Sequence, residues 1–412
     1  MEKPASRWSH EVVVLMPPRP RSGRSPAAVE AIGPALQALL DDGRAEPVFQ
    51  ANFQPNFQLD LQPVRKSDRQ AKAVSLVLPK VYTVKTLGEA QTREVLETLS
   101  DDMGAATVYV APPRGVLARS PGADMGAQSS SMSHWGMQYV AVDADAVDAS
   151  DIAVAVVDTG VDRAHPDLVN AIDAYVNFCQ DESEDDVQGH GTHVCGIIAA
   201  TGQPPGGMKG ACNARLHVFK GIGVKYSATD YYRALGAALA RAKIVNLSLG
   251  GPDHDPAEEL IIQQGLNSGA LVIAASGNDG DDGDYPNYPA NLPGVLAVGA
   301  IDDQGARADF SNAGPHLSLV APGVDIWSTA PTKASSLFKK KSGYAPCSGT
   351  SMATPFVTAM AARVAAGHPG PPPAATIRDN IPIERCPGQT GKTDDLGYGC
   401  VHWKGPFVLS NA

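Results

Sequence analysis

Three side chains far apart in this sequence have the makings of nucleophilic catalysis. Ser351 lies in C-S-G-T-S-M-A-T-P-F, Cys347 to Phe356, directly before an alanine-rich run, Val357 to Ala366, that Gly367 stops. That pattern predicts a helix starting near Ser351. A serine there can be a plain N-cap, its oxygen accepting orphan backbone N–H groups. It can also be a nucleophile, because helix donors and the positive dipole end favour a developing anion, provided that a base is brought to it. His190, in G-H-G-T-H-V-C-G, is the candidate base, and its flanking glycines let backbone come close to other groups. His193, one helical turn deeper, reads as a packed histidine. Asp158, in V-V-D-T-G-V-D, follows an apolar strand and suits a fixed partner for an imidazole, or a turn aspartate accepting backbone N–H groups. Asn278, in A-S-G-N-D-G, is a turn residue or a side-chain amide aimed at the oxyanion of a tetrahedral intermediate.

Two competing chemistries fail on spacing. Histidines that share a zinc ion on a helix need an i, i+4 pair with an adjacent glutamate, and neither is present around His190 and His193. Gln389–Thr393 (QTGKT) ends like a phosphate-binding loop, but Cys386 stands where the first glycine belongs and Pro382 and Pro387 replace the leading strand.

The elements that must position these residues come from the second half of the chain. Apolar strands Ile152–Val157, Leu216–Phe219, Ile244–Leu249, Leu271–Ala275 and Val295–Val298 alternate with helical stretches His193–Ala200, Thr229–Ala242 and Pro256–Ser268. Continuous apolar strands between helices predict an α/β fold, a parallel sheet sandwiched by helices. Such sheets gather function at the carboxyl ends of their strands. Asp158, the run Ser248-Leu249-Gly250-Gly251 and Asn278 all fall there.

The front of the chain reads differently. Glu11–Met16, Ala45–Phe53, Lys80–Lys85 and Thr107–Ala111 are strand-like, while Ala27–Leu40, interrupted at Pro34, and Gly88–Ser100 are helical. The order β-α-β-β-α-β predicts a small α+β, ferredoxin-like domain over residues 1–111, with polar Gln54–Gln70 as an insertion. A Pro/Gly/Ser/Arg-rich linker follows over 112–133, the kind of exposed segment where nicking concentrates, and the α/β domain occupies 134–412.

Composition bounds the rest. With 43% hydrophobic and 19% charged residues, a chain of 412 residues can bury a large core. Its formal net charge of −11 argues against nucleic acid as a partner. The N-terminal apolar run, Val12–Met16, is shorter than the roughly 7–15 residues of an export signal, and no window approaches the ~18 apolar residues of a membrane span. A cytoplasmic protein with no membrane partner is expected, non-classical secretion being the alternative. Six scattered cysteines form no C-x-x-C pair and are expected as reduced thiols. Cys386 and Cys400 bracket a short polar loop and would pair in an oxidising compartment.

Taken in order, VVDTGVD, GHGTHVCG, SLGG, AASGND and GTSMATP resemble the subtilisin-like serine peptidases, the subtilase family, over roughly Trp135–Val401, with FSNAGP, VAPGVDI and LGYGCV in support. The resemblance implies a serine endopeptidase acting on extended polypeptide through an acyl-enzyme. Ser351 would attack, His190 would shuttle the proton, Asp158 would orient His190, and Asn278 with the Ser351 N–H would hold the oxyanion. It implies a substrate strand lying between Ser248, Leu249, Gly250 and Gly251 on one side and Val224 and Lys225 on the other, with Ala274, Ala275, Ser276 and Gly277 lining the pocket for the residue before the cut. No cofactor is required for this chemistry. The family's calcium loop is replaced by Thr201–Gly210, which lacks the expected Asn ligand and leaves Asp167 as a lone carboxylate, against a structural calcium ion. The acidic run Asp181–Asp186 reads as a solvated loop. The first domain resembles an inhibitory propeptide, so the chain's own N-terminal domain is expected as an intramolecular inhibitor of a zymogen, with a processing site in 112–133. Two alternatives remain open: a processing protease preferring basic residues, suggested by Asp253 and Asp255, and a catalytically silent binding protein on the same fold.

Overall fold

A computed structural model describes residues 10–16, 34–48, 81–86, 89–103, 107–119, 134–140, 147–179, 181–203, 206–339 and 343–403. The front of the chain runs β1 (His10–Leu15), α1 (Pro34–Asp41), β2 (Ala45–Pro47), β3 (Val81–Thr86), α2 (Glu89–Met103) and β4 (Thr107–Val110). The four strands form one antiparallel sheet in the order β2-β3-β1-β4. Of the expected helix 27–40 the described part runs as α1 from Pro34, and a proline is tolerated at the first helical position, where a fixed φ and a missing N–H are harmless. The expected helix residues 27–33, the extended residues 49–53, the insertion 54–70 and linker residues 120–133 lie outside the described residues.

Strand alternation divides the front sheet's contacts. Val12 and Val14 pack with Leu36, Leu39, Val95 and Leu99 in a small core of their own. Val13, on the opposite face, joins Val48 and Val81 in a cluster shared with Tyr231, Leu235 and Ile261 of the large unit.

A two-residue strand, β5 (Gly115–Val116), and helix α3 (Trp135–Tyr139) lead into that unit. Its sheet is built from β6 (Ala153–Asp158), β7 (Ile172–Asn177), β8 (Arg215–Lys220), β9 (Ile244–Leu247), β11 (Leu271–Ala275), β12 (Leu296–Ile301), β13 (Leu317–Pro322), β16 (Ile383–Glu384) and β17 (Cys400–Val401), with β10 (Leu249–Gly250) lying just past β9. The strand order is β16-β17-β13-β12-β11-β9-β6-β8-β7, and every pairing is parallel except β16 with β17. A hairpin, β14 (Ile326–Thr329) and β15 (Tyr344–Cys347), stands apart. The helices are α4 (His190–Ala199), α5 (Ala228–Arg241), α6 (Pro256–Asn267), α7 (Thr350–Ala366) and α8 (Ala374–Asp379). α4 and α7 cover one face of the sheet and α5 and α6 the other, which is why β6 and β9 are apolar on both sides. Among the described residues no helix is long and apolar enough to cross a membrane.

Two features depart from the sequence reading. Cys386 and Cys400 form a disulfide with Cα atoms 5.4 Å apart, tying the β17 edge to the preceding loop, whereas Cys179, Cys195, Cys212 and Cys347 are buried free thiols. The acidic run is not merely solvated. Asp186 is buried, and the loop around it closes on the buried ammonium of Lys220, which donates to the carbonyls of Ser183 (2.9 Å) and Asp185 (3.0 Å) and lies 3.2 Å from Glu182 Oε2. The loop thus takes its cation from its own chain.

Candidate active site

Asp158 is the last residue of β6, and His190 is the first of α4. β6 delivers the carboxylate at its carboxyl end, and the helix turns its first side chain back over that end. His190 Nδ1 lies 2.8 Å from Asp158 Oδ1, both side chains fully buried. The same oxygen accepts the Thr159 N–H at 2.7 Å. An Nδ1–H donated to a carboxylate leaves Nε2 as the basic nitrogen. Nε2 is buried and has no hydrogen-bond partner among the described residues.

A carboxylate that the motif reading missed holds this corner together. Asp186 Oδ1 accepts from Thr159 Oγ1 (2.8 Å) and the Gly189 N–H (2.8 Å), and Oδ2 accepts from the Thr192 N–H (2.9 Å) and Thr192 Oγ1 (2.7 Å). It joins the end of β6 to the first turn of α4, serving donors that the helix start leaves unpaired. His193 stacks on Phe338 with 5.6 Å between ring centroids and meets the Ala345 carbonyl at 3.0 Å. Burial pushes its pKa down to about 3, so it is a neutral packing residue. Burial also drives the Cys195 thiol well up, reinforced by Asp158 and Asp186, and raises Cys347 to about 12. Neither is a thiolate at neutral pH.

Ser351 sits in the first turn of α7, which begins at Thr350 after Gly349. Its hydroxyl is not hydrogen-bonded to His190. Oγ donates to the Ser248 carbonyl at 2.7 Å and accepts the Leu117 N–H at 3.1 Å. Asn278 is tied beside it: its Oδ1 accepts from the Thr350 N–H and Thr350 Oγ1, both at 2.9 Å, which orients the amide nitrogen outward.

The space in front of these groups is filled by the chain itself. β5 pairs antiparallel with β10, Val116 opposite Leu249 and Gly115 opposite Gly250. Downstream, Arg119 and Ser348 exchange backbone hydrogen bonds of 2.7 and 3.3 Å. Between them the Ser351 N–H donates to the Leu117 carbonyl at 3.3 Å. Gly349 is required for this approach: a Cβ there would stand 2.3 Å from the Leu117 oxygen and 3.1 Å from Asn278 Nδ2. The Leu117 carbonyl therefore meets the Ser351 N–H beside Gly349, whose missing side chain also leaves space toward the Asn278 amide.

Of the expected substrate contacts, Leu249 and Gly250 pair with the strand, Ser248 engages Ser351, and Gly251 flanks the Pro113 carbonyl. Ala274, Ala275 and Ser276 are buried, with Gly277 beside them donating its N–H to Thr350 Oγ1 at 3.3 Å. Val224 and Lys225 are exposed, and no hydrogen bond joins them to the 113–119 strand among the described residues; the Val224 N–H is held by Glu182 instead. Among the described residues the strand is held by β10, Ser348 and Ser351, and not by 224–225.

The loop at 201–210 does not fit calcium. Asp167 Oδ1 accepts the Gln203 N–H at 3.0 Å, and Oδ2 accepts the Met208 N–H at 2.8 Å and the Tyr344 hydroxyl at 2.7 Å. Donors aimed at both oxygens repel a cation.

Comparison with known proteins matches residues 149–383 to the Subtilase family. The chain belongs to the subtilase family. This subtilase is 36% identical to Subtilisin E of Bacillus subtilis over 230 residues, 53% of the chain and 57% of that protein. It is 37% identical to the Major intracellular serine protease of the same organism over 234 residues, 54% of the chain and 70% of that protein. It is 39% identical to an Alkaline protease of Alkalihalobacillus alcalophilus over 275 residues, 65% of the chain and 68% of that protein. The subtilase thus spans somewhat over half the length of the first of these relatives.

Proposed function

We propose that this subtilase is a serine endopeptidase made as a zymogen, its front unit seated on the catalytic unit and its 113–119 strand occupying the substrate cleft. The observation that carries the reading is the Leu117 carbonyl, which accepts the Ser351 N–H while the same strand lies antiparallel on Leu249–Gly250. That is how a polypeptide must lie to be cut: main chain paired at a strand edge, carbonyl oxygen facing fixed donors.

In the reaction Ser351 Oγ turns from the Ser248 carbonyl toward His190 Nε2, gives up its proton there and attacks the substrate carbonyl carbon. The electron pair of the C=O moves to oxygen, held by the Ser351 N–H and the Asn278 amide. Asp158 is a positioning residue: it fixes the His190 tautomer and stabilises the imidazolium. The C–N bond then breaks, the proton on Nε2 passes to the leaving amine, and an acyl-Ser351 ester remains. Water, deprotonated by the same nitrogen, hydrolyses the ester and returns the proton to Ser351. No cofactor enters these steps. In the zymogen the Leu117 N–H holds the Ser351 hydroxyl in its resting position, which slows the chain's attack on itself.

A fluorophosphonate probe and N-terminal sequencing test both halves. Ser351 should be labelled after incubation of the purified chain, and a new terminus should appear at Ala118. Ser351→Ala should lose both, with peptide hydrolysis falling roughly 10⁶-fold, the loss known for the nucleophile of subtilisin itself rather than a value obtained for this chain. An unlabelled serine would point to a silent binding protein. A labelled, fully active chain that stays intact would refute the zymogen.

A further inference from the structure

The deepest contact of the cleft strand is made by Arg114, the fourth residue before the Leu117–Ala118 bond. Its guanidinium is fully buried. Nε donates to Glu258 Oε1 at 2.9 Å and Nη2 to Glu258 Oε2 at 2.8 Å, a two-pronged pair with both side chains at 0% exposure. Nη2 also donates to the Asp253 carbonyl at 3.1 Å and Nη1 to the Pro113 carbonyl at 3.2 Å. Glu258 is held from behind by the Tyr231 hydroxyl, 2.7 Å from Oε1. Gly251 leaves room at the pocket mouth: a Cβ there would stand 2.5 Å from the Pro113 oxygen and 3.0 Å from Arg114 Nη1.

Neither aspartate singled out in the sequence forms this pocket with its side chain. Asp255 caps α6, accepting the Ala257 and Glu258 N–H groups and the hydroxyls of Tyr109 and Tyr232. Asp253 contributes its carbonyl. The charge that meets the arginine is Glu258, in the first turn of α6.

The geometry points to an arginine-selecting subsite, with Glu258 as its specificity-determining residue: this protease prefers polypeptides carrying arginine four residues before the cleaved bond. The inference rests on the peptidase reading above and deepens it. Any substrate paired on Leu249–Gly250 in the register of β5 must place its fourth side chain where Arg114 now sits. Once residues 113–117 leave, Glu258 keeps the Tyr231 hydroxyl as a donor and loses the guanidinium that meets its charge, and a buried carboxylate whose ion-pair partner is removed is a costly state. A guanidinium relieves it with two parallel hydrogen bonds. A lysine ammonium supplies a single point charge, and a neutral side chain supplies no charge. The carboxylate therefore selects against a neutral residue, which leaves its charge unpaired, and more strongly against an acidic one, which it repels.

The test uses the purified, self-processed protein and the peptide Pro-Arg-Gly-Val-Leu-Ala-Arg, the sequence of residues 113–119. Its arginine at the fourth place before the cut is replaced in turn by lysine, citrulline and glutamate. Citrulline keeps the shape of arginine and removes its charge. Cleavage between Leu and Ala is followed by mass spectrometry. The arginine peptide should exceed the citrulline peptide in kcat/KM by roughly 10- to 100-fold, the range for a hydrogen bond to a buried charge, with lysine between them and glutamate lowest. In Glu258→Gln the arginine-to-citrulline ratio should fall toward one. If that variant does not fold, the peptide series on the unaltered chain decides alone. Equal cutting of arginine and citrulline peptides, or a Ser351 that takes the fluorophosphonate label while all four peptides survive, overturns the subsite. Failure of both labelling and cutting instead removes the peptidase reading on which it stands.

Discussion

The two sheets of this molecule are secured in different ways. The nine-stranded sheet is apolar on both faces and covered by helices of its own unit, so its contacts are internal. The front sheet has a small private core on one face. Its other face sets Val13, Val48 and Val81 against α5 and α6 and is fixed there by a few polar anchors. Glu11, 1% exposed, accepts the Thr229 N–H (3.0 Å) and Ser227 Oγ (2.9 Å) at the N-terminus of α5. Tyr109 donates to the α6 cap Asp255 at 2.6 Å, and Arg233 reaches Glu46 at 3.0 Å. A carboxylate at a helix N-terminus completes the orphan donors and meets the positive dipole end. The difference teaches that the large unit carries its own core, so the release of the front sheet that we propose would leave that core in place.

Three perturbations test the contrast, each in the uncleavable Ser351→Ala chain. The largest effect belongs to the central core. Phe356, fully buried in α7, should cost about 3–5 kcal/mol when truncated in Phe356→Ala. Denaturant unfolding followed by the fluorescence of Trp135, Trp327 and Trp403 measures it, and a loss under about 1 kcal/mol would mean a core that collapses around the gap. Next comes Glu11→Gln. Removing the charge from the α5 terminus should speed amide exchange in β1 to β4 by roughly 5- to 30-fold, about 1–2 kcal/mol, while β6 and β9 exchange as before. Equal acceleration in both sheets would show that they open together.

The smallest effect is a pH slope. Burial, then the Glu11 charge, pushes the Asp230 carboxyl up to about 7. The docked state therefore binds a proton that the undocked state, with an ordinary carboxylate pKa near about 4, has already released. Docking is favoured most below about 4, and the advantage is lost as pH rises to about 7. Front-sheet protection, corrected for intrinsic exchange, should decline across that interval, and Asp230→Asn should flatten the decline. A slope that survives the substitution would assign it to another group.

Much of the large unit was legible because its signals are local. The apolar runs ending at Val157, Leu247 and Ala275 each carry their own strand signature. The switch from apolar to Gly/Asp/Asn at their carboxyl ends marked Asp158, Ser248 and Asn278. The α7 start, expected near Ser351 from the alanine run, falls one residue earlier at Thr350. Other parts were not. β7 (IDAYVN) mixes polar and apolar residues, because it is the edge of the sheet and only half covered. Asp186 lay within a run of acids that looks like solvent-facing loop. Nothing nearby signals that its oxygens take four donors from the ends of β6 and α4. Cys386 and Cys400 bracket a short polar loop, which suggests a bond, but the expectation of reduced thiols outweighed it.

The sequence by itself determined the fold class and the family, and it singled out the candidate acid, imidazole, hydroxyl and amide, since each is written within a dozen residues around a strand end or a helix start. Only the tertiary structure decided what stands in the cleft. Arg114 meets Glu258 across 144 residues, and Leu117 meets Ser351 across 234. Such pairings depend on how the front sheet docks against α5 and α6. Periodicity and propensity act over a turn or a strand, so the partner of a buried charge is chosen by packing, and the pair on which the proposed substrate preference rests forms only once the chain has folded back on itself.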